Sequence, residues 1–288
     1  VRLLHGQSPD EFVARAESLA HSFGAMSCRV RQDKPRRIWL DLIHTDPLRD
    51  PIAPPGLVEV GADVDLRKVP VGTIETGRPW NARLLGNHLL VVGSTGAGKS
   101  SVMWSLLWHL APAIAAGQVQ VFGIDPKGGM ELGRAPGLFR RLVFDNGGDA
   151  VELLEDLAAL MRSRAETFRR AGSAAWTPTS GSPFVVLVVD ELADVVAYQT
   201  DRGLKARAVN ALQVITSQGR APGVGVVGQV QDPRKAVIEF RHLFPTKVAL
   251  RLDEPDQVDL ALGDGARERG AAAHEISEDT PGVAWTVV

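Results

Sequence analysis

Short apolar runs separated by amphipathic segments dominate the chain from residue 88 onward. The runs are His88–Val92, Val119–Ile124, Phe184–Val189, Val224–Val230 and Val248–Leu252, each too short for an independent helix and rich in β-branched residues. Between them lie segments with helical spacing. Ser100–Leu110 is one, closed by Pro112. Ala150–Arg170 carries Val151, Leu154, Leu157, Met161 and Phe168 on one face, and Leu204–Ser217 is a third. The segment Pro281-Gly282-Val283-Ala284-Trp285 reads as a last strand. Apolar strands alternating with helices predict an α/β fold, a mostly parallel sheet covered by helices on both faces.

The first residues follow a different pattern. Ser8, Pro9 and Glu11 form a capping box with proline at the first helical position. Phe12, Ala16, Leu19, Ala20 and Phe23 then recur at helical spacing, which predicts one helix ended by Gly24. Cys28–Arg31 and Ile38–Leu42 alternate apolar and polar residues around the polar turn Gln32–Arg37, a hairpin. Pro47, Pro51, Pro54 and Pro55 stiffen the stretch Asp46–Gly56. The expected division is therefore a small α+β appendage with its linker over residues 1–56 and one larger domain over 57–288.

Composition narrows the class. The chain has 288 residues, 44% hydrophobic and 23% charged, which excludes general disorder. Its 32 Lys and Arg against 34 Asp and Glu give a net charge of −2, so any nucleic-acid contact must come from local patches. No apolar run approaches the ~20 residues of a membrane-spanning helix. The single cysteine, Cys28, permits no internal disulfide and fits a reducing cytosol, so a cytoplasmic location is expected.

Gly93-Ser94-Thr95-Gly96-Ala97-Gly98-Lys99-Ser100 matches the phosphate-loop pattern, with a strand before it and a helix after it. Small residues let backbone N–H groups wrap phosphates closely. Lys99 would reach the terminal phosphates, and the helix N-terminus favours the anion. Ser100 would ligate Mg²⁺, and Ser101 completes the loop. The run Val185–Val189 then delivers Asp190 and Glu191 to the sheet edge, Asp190 to hold Mg²⁺ and Glu191 to polarise an attacking water. The alternative for this pair is a helix N-terminus, where acidic residues are favoured anyway. Gln229, at the end of Val224–Val230, is placed either to bond the γ-phosphate and the water or to be a polar strand terminus.

An adjacent Asp-Glu pair separates a hydrolase from most small-molecule kinases. Asp125-Pro126-Lys127-Gly128 fits the Asp-x-x-Gly element of GTPases, but Thr246-Lys247-Val248-Ala249 lacks the guanine-reading aspartate. The expected cofactors are therefore ATP and Mg²⁺.

His88–Ser101, Ile124–Leu132, Val188–Asp194, Gln218–Val224 and Gln229 together resemble the FtsK/SpoIIIE family of DNA translocases. Asp125–Leu132, Gln231–Lys235, Phe244–Leu252 and Leu262–Arg267 are similar to the single-motor transfer proteins of actinobacterial conjugative plasmids and integrative elements. The resemblance implies a RecA-like ATPase core that forms a homo-oligomeric ring of six around double-stranded DNA. Gln229 matches the family's sensor glutamine. Arg220 and Arg251 are candidates for the arginine offered to a neighbour's γ-phosphate, or else surface ion pairs. Arg234, Lys235 and Arg241 are candidate channel contacts, or else a solvated basic face. Six copies would make a basic pore without a basic chain, gripping phosphates without reading sequence.

The family also leads one to expect a membrane segment ahead of the motor and a winged-helix module after it. Neither is read here, so anchoring at the cytoplasmic face of the membrane and sequence-specific loading are expected from elsewhere. Two other functions fit the same residues: the ATPase of a type VII-like secretion system, and a nucleotide-gated docking module. Trp104 and Trp108 are expected to pack in the core, His88 to be structural, and the acidic region from Pro255 to Val288 to be a solvated outer surface or a subunit contact.

Overall fold

The computed structural model describes all residues except 47, 54, 55, 57, 58, 60–63, 179, 180, 235–238 and 288. Pro47, Pro54, Pro55 and Lys235 therefore lie outside the described residues. The chain divides into two compact units, Val1–Ile52 with Thr73–Arg78, and Ala53–Gly72 with Pro79–Val288.

The smaller unit begins with two helices, α1 (Pro9–Val13) and α2 (Ala16–Ser22). The capping box forms, with Glu11 accepting from the Ser8 N–H at 3.1 Å. The single expected helix is broken because the Arg15 N–H bonds the carbonyl of Phe12, a tighter turn that ends α1. Gly24 follows α2 at φ +63°, and Phe23, expected on the buried face, is 57% exposed. β1 (Ser27–Lys34) and β2 (Arg37–Ile43) pair antiparallel and run further into the polar segment than its composition suggests, leaving only Pro35 and Arg36 as the turn. Leu3, Ala20, Cys28 and Ile38 form the small core.

In the larger unit, β3 (Val69–Thr73) and β4 (Pro79–Ala82) form a separate two-stranded ribbon. Next come β5 (Leu89–Val92), α3 (Lys99–Ala115), β6 (Val119–Ile124), β7 (Phe139–Val143), α4 (Gly148–Arg170), β8 (Phe184–Val189) and α5 (Leu192–Val196). α6 (Arg202–Gln218), β9 (Val224–Val230), β10 (Thr246–Ala249), α7 (Pro255–Leu262) and β11 (Trp285–Val287) complete the unit. The main sheet has the order β11-β10-β5-β9-β8-β6-β7, parallel except for β11.

Side chains alternate across this sheet as a period of two requires. Leu90, Val92, Val185, Leu187 and Val189 pack with α4, α5, α6 and α7 on one face. Leu89, Val91, Phe184, Val186 and Val188 pack with α3 on the other. Both faces are covered, so the inner strands carry no polar alternation, and all six residues of β8 are buried. Among the described residues no helix is long and apolar enough to cross a membrane.

Three expectations are corrected. α3 runs through Pro112 to Ala115, because in the last turn the missing donor and the clash with the preceding carbonyl disturb little helix. β7 had no apolar signature, since Arg140 and Arg141 interrupt it. It is an edge strand, and Arg141 reaches out to Glu152 and Asp156 at 3.1 and 2.9 Å. The acidic C-terminal region is not simply an outer surface. Gln257, Val258, Ala261, Leu262, Ala266 and Ala273 are buried, with the carboxylates on the side facing away.

Candidate nucleotide site

β5 ends at Val92, and the phosphate loop turns directly from it into α3. Gly96 and Gly98 take φ +76° and +97°, which only glycine adopts readily. The loop is held from outside as well. The Gly93 N–H bonds Val230 O at 3.1 Å, the Ser94 N–H bonds Arg251 O at 2.9 Å, and the Ser94 hydroxyl donates to Asp253 at 2.7 Å. The Gly282 N–H bonds Ala97 O at 2.9 Å, so the turn before β11 lies against the loop.

Lys99 folds back over this loop, its Nζ donating to Gly93 O at 2.7 Å and Ser94 O at 3.1 Å. Burial lowers its pKa, partly offset by Glu191, with Lys127 pushing further down. Ser100 is half-buried at the start of α3. Ser101 is exposed, and its hydroxyl donates to Gly98 O at 2.6 Å. The Thr95 hydroxyl lies 3.4 Å from Gln231 Oε1.

β9 is inserted between β5 and β8, which brings Gln229 between the loop and the acidic pair. Its Cα is in register with Val91 of β5, and its side-chain amide donates to Lys99 O at 3.3 Å. At 1% exposure it is a buried amide beside the phosphate loop.

Asp190 and Glu191 follow β8, both buried. Burial pushes the Asp190 carboxyl up to about 6, with Asp125 and Glu131 adding repulsion and Lys127 and Lys99 opposing it. Glu191 is raised mainly by burial, with Lys127 then Lys99 opposing. The helix N-terminus weighed for Glu191 is observed, and one of its carboxylate oxygens stays outside that cap. It is the N-cap of α5, its Oε1 accepting from the Ala193 N–H at 3.4 Å, while its buried Oε2 has no hydrogen bond.

The residue facing Glu191 Oε2 is Lys127, 3.6 Å away, a charge pair without hydrogen-bond contact. The loop after β6 is folded to present it. Asp125, fully buried, accepts from the backbone N–H groups of Lys127, Glu131 and Leu132 at 3.2, 2.9 and 2.8 Å. Glu131 in turn accepts from the Trp104 indole at 2.6 Å. From sequence, the Asp125–Leu132 stretch is a family marker and an Asp-x-x-Gly element, with no role assigned to Lys127. The signal for Lys127 was its place two residues after a strand-terminal aspartate. Trp104 is half-buried as expected, but Trp108 is 42% exposed, not core.

The remaining candidates are dispersed. Arg251 is engaged within its own chain, donating to Thr95 O at 3.1 Å and pairing with Asp253 and Glu278 at 3.4 and 3.3 Å. Arg220 is exposed in the turn before β9, at the sheet edge opposite the phosphate loop and near His88. Arg234 is exposed and clasped by Asp232 at 2.8 Å. Arg241 is half-buried, with an Nη1 that has no partner among the described residues. His88 is fully buried, and its Nδ1 accepts from the Val226 N–H at 3.0 Å.

The donor set fits a nucleotide phosphate with a divalent ion. Two buried carboxylates raised by burial, with two more acids adding repulsion at Asp190, are an environment a cation would relieve. Among the described residues no group of three or more ligating side chains could hold a metal alone.

The chain is similar to several known proteins. The chain is 28% identical to the transfer protein TraSA of Streptomyces ambofaciens over 99% of its own length and 72% of that protein's. It is 27% identical to the DNA translocase FtsK of Staphylococcus aureus over 63% of its length, but spans only 25% of that longer relative. The fold matches the pCW3 conjugation coupling protein TcpA, solved with ATPγS, at a TM-score of 0.67 and 20% identity, covering 91% of this chain and 76% of that one. Residues 53–200, just over half the chain, match the FtsK/SpoIIIE family profile, and the chain belongs to that family.

Proposed function

We propose that the chain is an ATP-driven motor that moves double-stranded DNA in conjugative transfer. The observation that carries this reading is the convergence of Lys99, Asp190, Glu191 and Gln229 at one sheet edge of a family member, 99% of which aligns with 72% of a transfer protein. In this reading Lys99 exchanges its two loop carbonyls for phosphate oxygens. Ser100 and Asp190 hold Mg²⁺, which supplies charge neutralisation at the phosphates. Glu191 orients and deprotonates the attacking water, and Gln229 bonds the terminal phosphate region and passes its position to the loop beyond β9. A homo-oligomeric ring, six-membered as its family suggests, working in the cytoplasm, belongs to the same proposal. Since Arg251 is bound up in its own loop, Arg220 is the freer of the two arginines to serve a neighbour.

The test is steady-state ATP hydrolysis with and without long linear duplex DNA at two salt concentrations. Stimulation by duplex that weakens as salt rises is expected, with loss of turnover in Lys99→Ala. ATP binding without stimulation at any salt would remove DNA as the track and leave a secretion or docking role.

A further inference from the structure

We propose that the solvent face of the β1–β2 hairpin in the small unit is a second contact surface for duplex DNA, binding phosphates independently of the nucleotide cycle. The pairing register places Arg29 opposite Asp41, Arg31 opposite Trp39, and Lys34 opposite Arg37. A bridge sets Arg2 on the other side of Arg37. Residues opposite one another share a face. Lys34, Arg37 and Arg2 are therefore three cations in a row across the chain, with Arg36 at the turn beside them. The same four side chains, with Val1 and Pro35, line a shallow groove. The inward face holds Cys28 and Ile38 instead.

Like charges placed directly opposite are destabilising, and a structural role would not call for them. Carboxylates neutralise only part of the face. Arg29 pairs with Glu75, Arg31 with Asp41 at 2.6 Å, and Arg37 with Asp33 at 3.3 Å. Among the described residues no carboxylate pairs with Arg2, Lys34 or Arg36. Arg36 also holds φ +63°, the single non-glycine residue with positive φ among those described, which projects a cation from a strained turn.

The partner that fits is a polyanion with phosphates in series. Three of the four tip cations are arginines, whose guanidinium matches phosphate bidentately. Trp39, 51% exposed between the arginines, offers a stacking or packing plane. A lipid surface fits less well, since an interfacial element buries a broad apolar side, whereas here Trp39 and Val1 are interspersed with cations. Duplex DNA as the polyanion rests on the motor reading above.

The experiment is fluorescence anisotropy of the full chain on a short mixed-sequence duplex, without nucleotide, across a salt series. Parallel measurements use phosphatidylserine vesicles and DNA-free ATP turnover. The variant Lys34→Gln/Arg36→Gln/Arg37→Gln should lose tenfold or more in affinity, with a salt slope shallower by about two to three units. DNA-free turnover should be unchanged, because none of these residues belongs to the nucleotide site. A second variant, Arg2→Gln, should lose part of the slope alone. An unchanged slope and affinity overturns the proposal. So does vesicle binding that falls in the variants while duplex binding does not. Because binding is read without nucleotide, failed hydrolysis with an altered slope would sink the motor and leave the hairpin surface standing.

Discussion

Gly98 and Gly96 sit two residues apart in the phosphate loop, both with positive φ, yet their surroundings differ. A Cβ on Gly96 would meet nothing within 4 Å. A Cβ on Gly98 would lie 2.5 Å from Gly282 N, 2.9 Å from Gly282 Cα and 3.2 Å from Pro281 C. These obstacles are backbone, so no rotamer change relieves them. The left-handed conformation costs an alanine about 1–3 kcal/mol at either site. Overpacking adds about 1–3 kcal/mol at Gly98 alone. The shift of the 281–282 turn needed to make room would also strain the Gly282–Ala97 hydrogen bond. For a chain of this size the difference corresponds to Gly98→Ala melting roughly 2–5 °C below Gly96→Ala. The assay is thermal unfolding of both variants, first without nucleotide and then with ATPγS and Mg²⁺. Gly98→Ala should also show the smaller nucleotide-induced rise in Tm, since ligand stabilisation follows binding. Equal melting temperatures for the two variants would refute the claim that the C-terminal turn braces the loop.

Glu191→Gln should bind ATPγS with an undiminished thermal shift while hydrolysis drops about 10²–10⁴-fold, the usual worth of a general base; normal turnover would dismiss Glu191 as that base. Lys127→Met should lower kcat with little change in KM, and Lys127→Arg should restore part of it, whereas equal effects on both constants would mean a binding role. Asp125→Ala removes the acceptor of three backbone N–H groups and should cost about 2–4 kcal/mol in denaturant unfolding, with an unshifted midpoint counting against its part in shaping the loop. His88 is held near a pKa of about 4 by burial, against 6.5 when free. The unfolded chain therefore protonates first, and the contribution of His88 to stability falls as pH drops from about 6.5 toward 4, by about 2–3 kcal/mol at pH 4.5, while Asp190, raised to about 6, contributes in the opposite direction. His88→Gln should flatten that slope relative to the parent, and parallel slopes would remove His88 as its source.

Much of the main sheet is legible in the residues because burial on both faces writes itself as unbroken apolar runs. Val119–Ile124, Phe184–Val189 and Val224–Val230 match the strands residue for residue. β7 escaped because an edge strand needs no such run, and α3 outran Pro112 because propensity yields near a helix end. The phosphate loop and the acidic pair stand out because their chemistry demands fixed residue types at fixed spacing. Lys127, Asp253 and Gly282 could not be found that way. Each reaches the site from a remote stretch of chain, and only topology brings them there. Trp108 and Phe23 show the opposite failure, where apolar periodicity suggested burial that the packing does not provide.

The strand order has a consequence for how the protein comes into being. β5, which carries the phosphate loop, pairs among the described residues with β9 and β10, and both are encoded after residue 223. Residues 53–200, the stretch that bears the family signature, include β5, β6, β7 and β8, but among the described residues no strand that pairs with β5. During synthesis β6, β7 and β8 can assemble first, leaving an apolar β5 unpartnered until the ribosome has delivered Val224–Ala249. The recognisable stretch is thus not a folding unit. A recombinant fragment cut to it would expose β5 on both edges and aggregate, and a nascent chain would gain its nucleotide loop only after Ala249 had emerged.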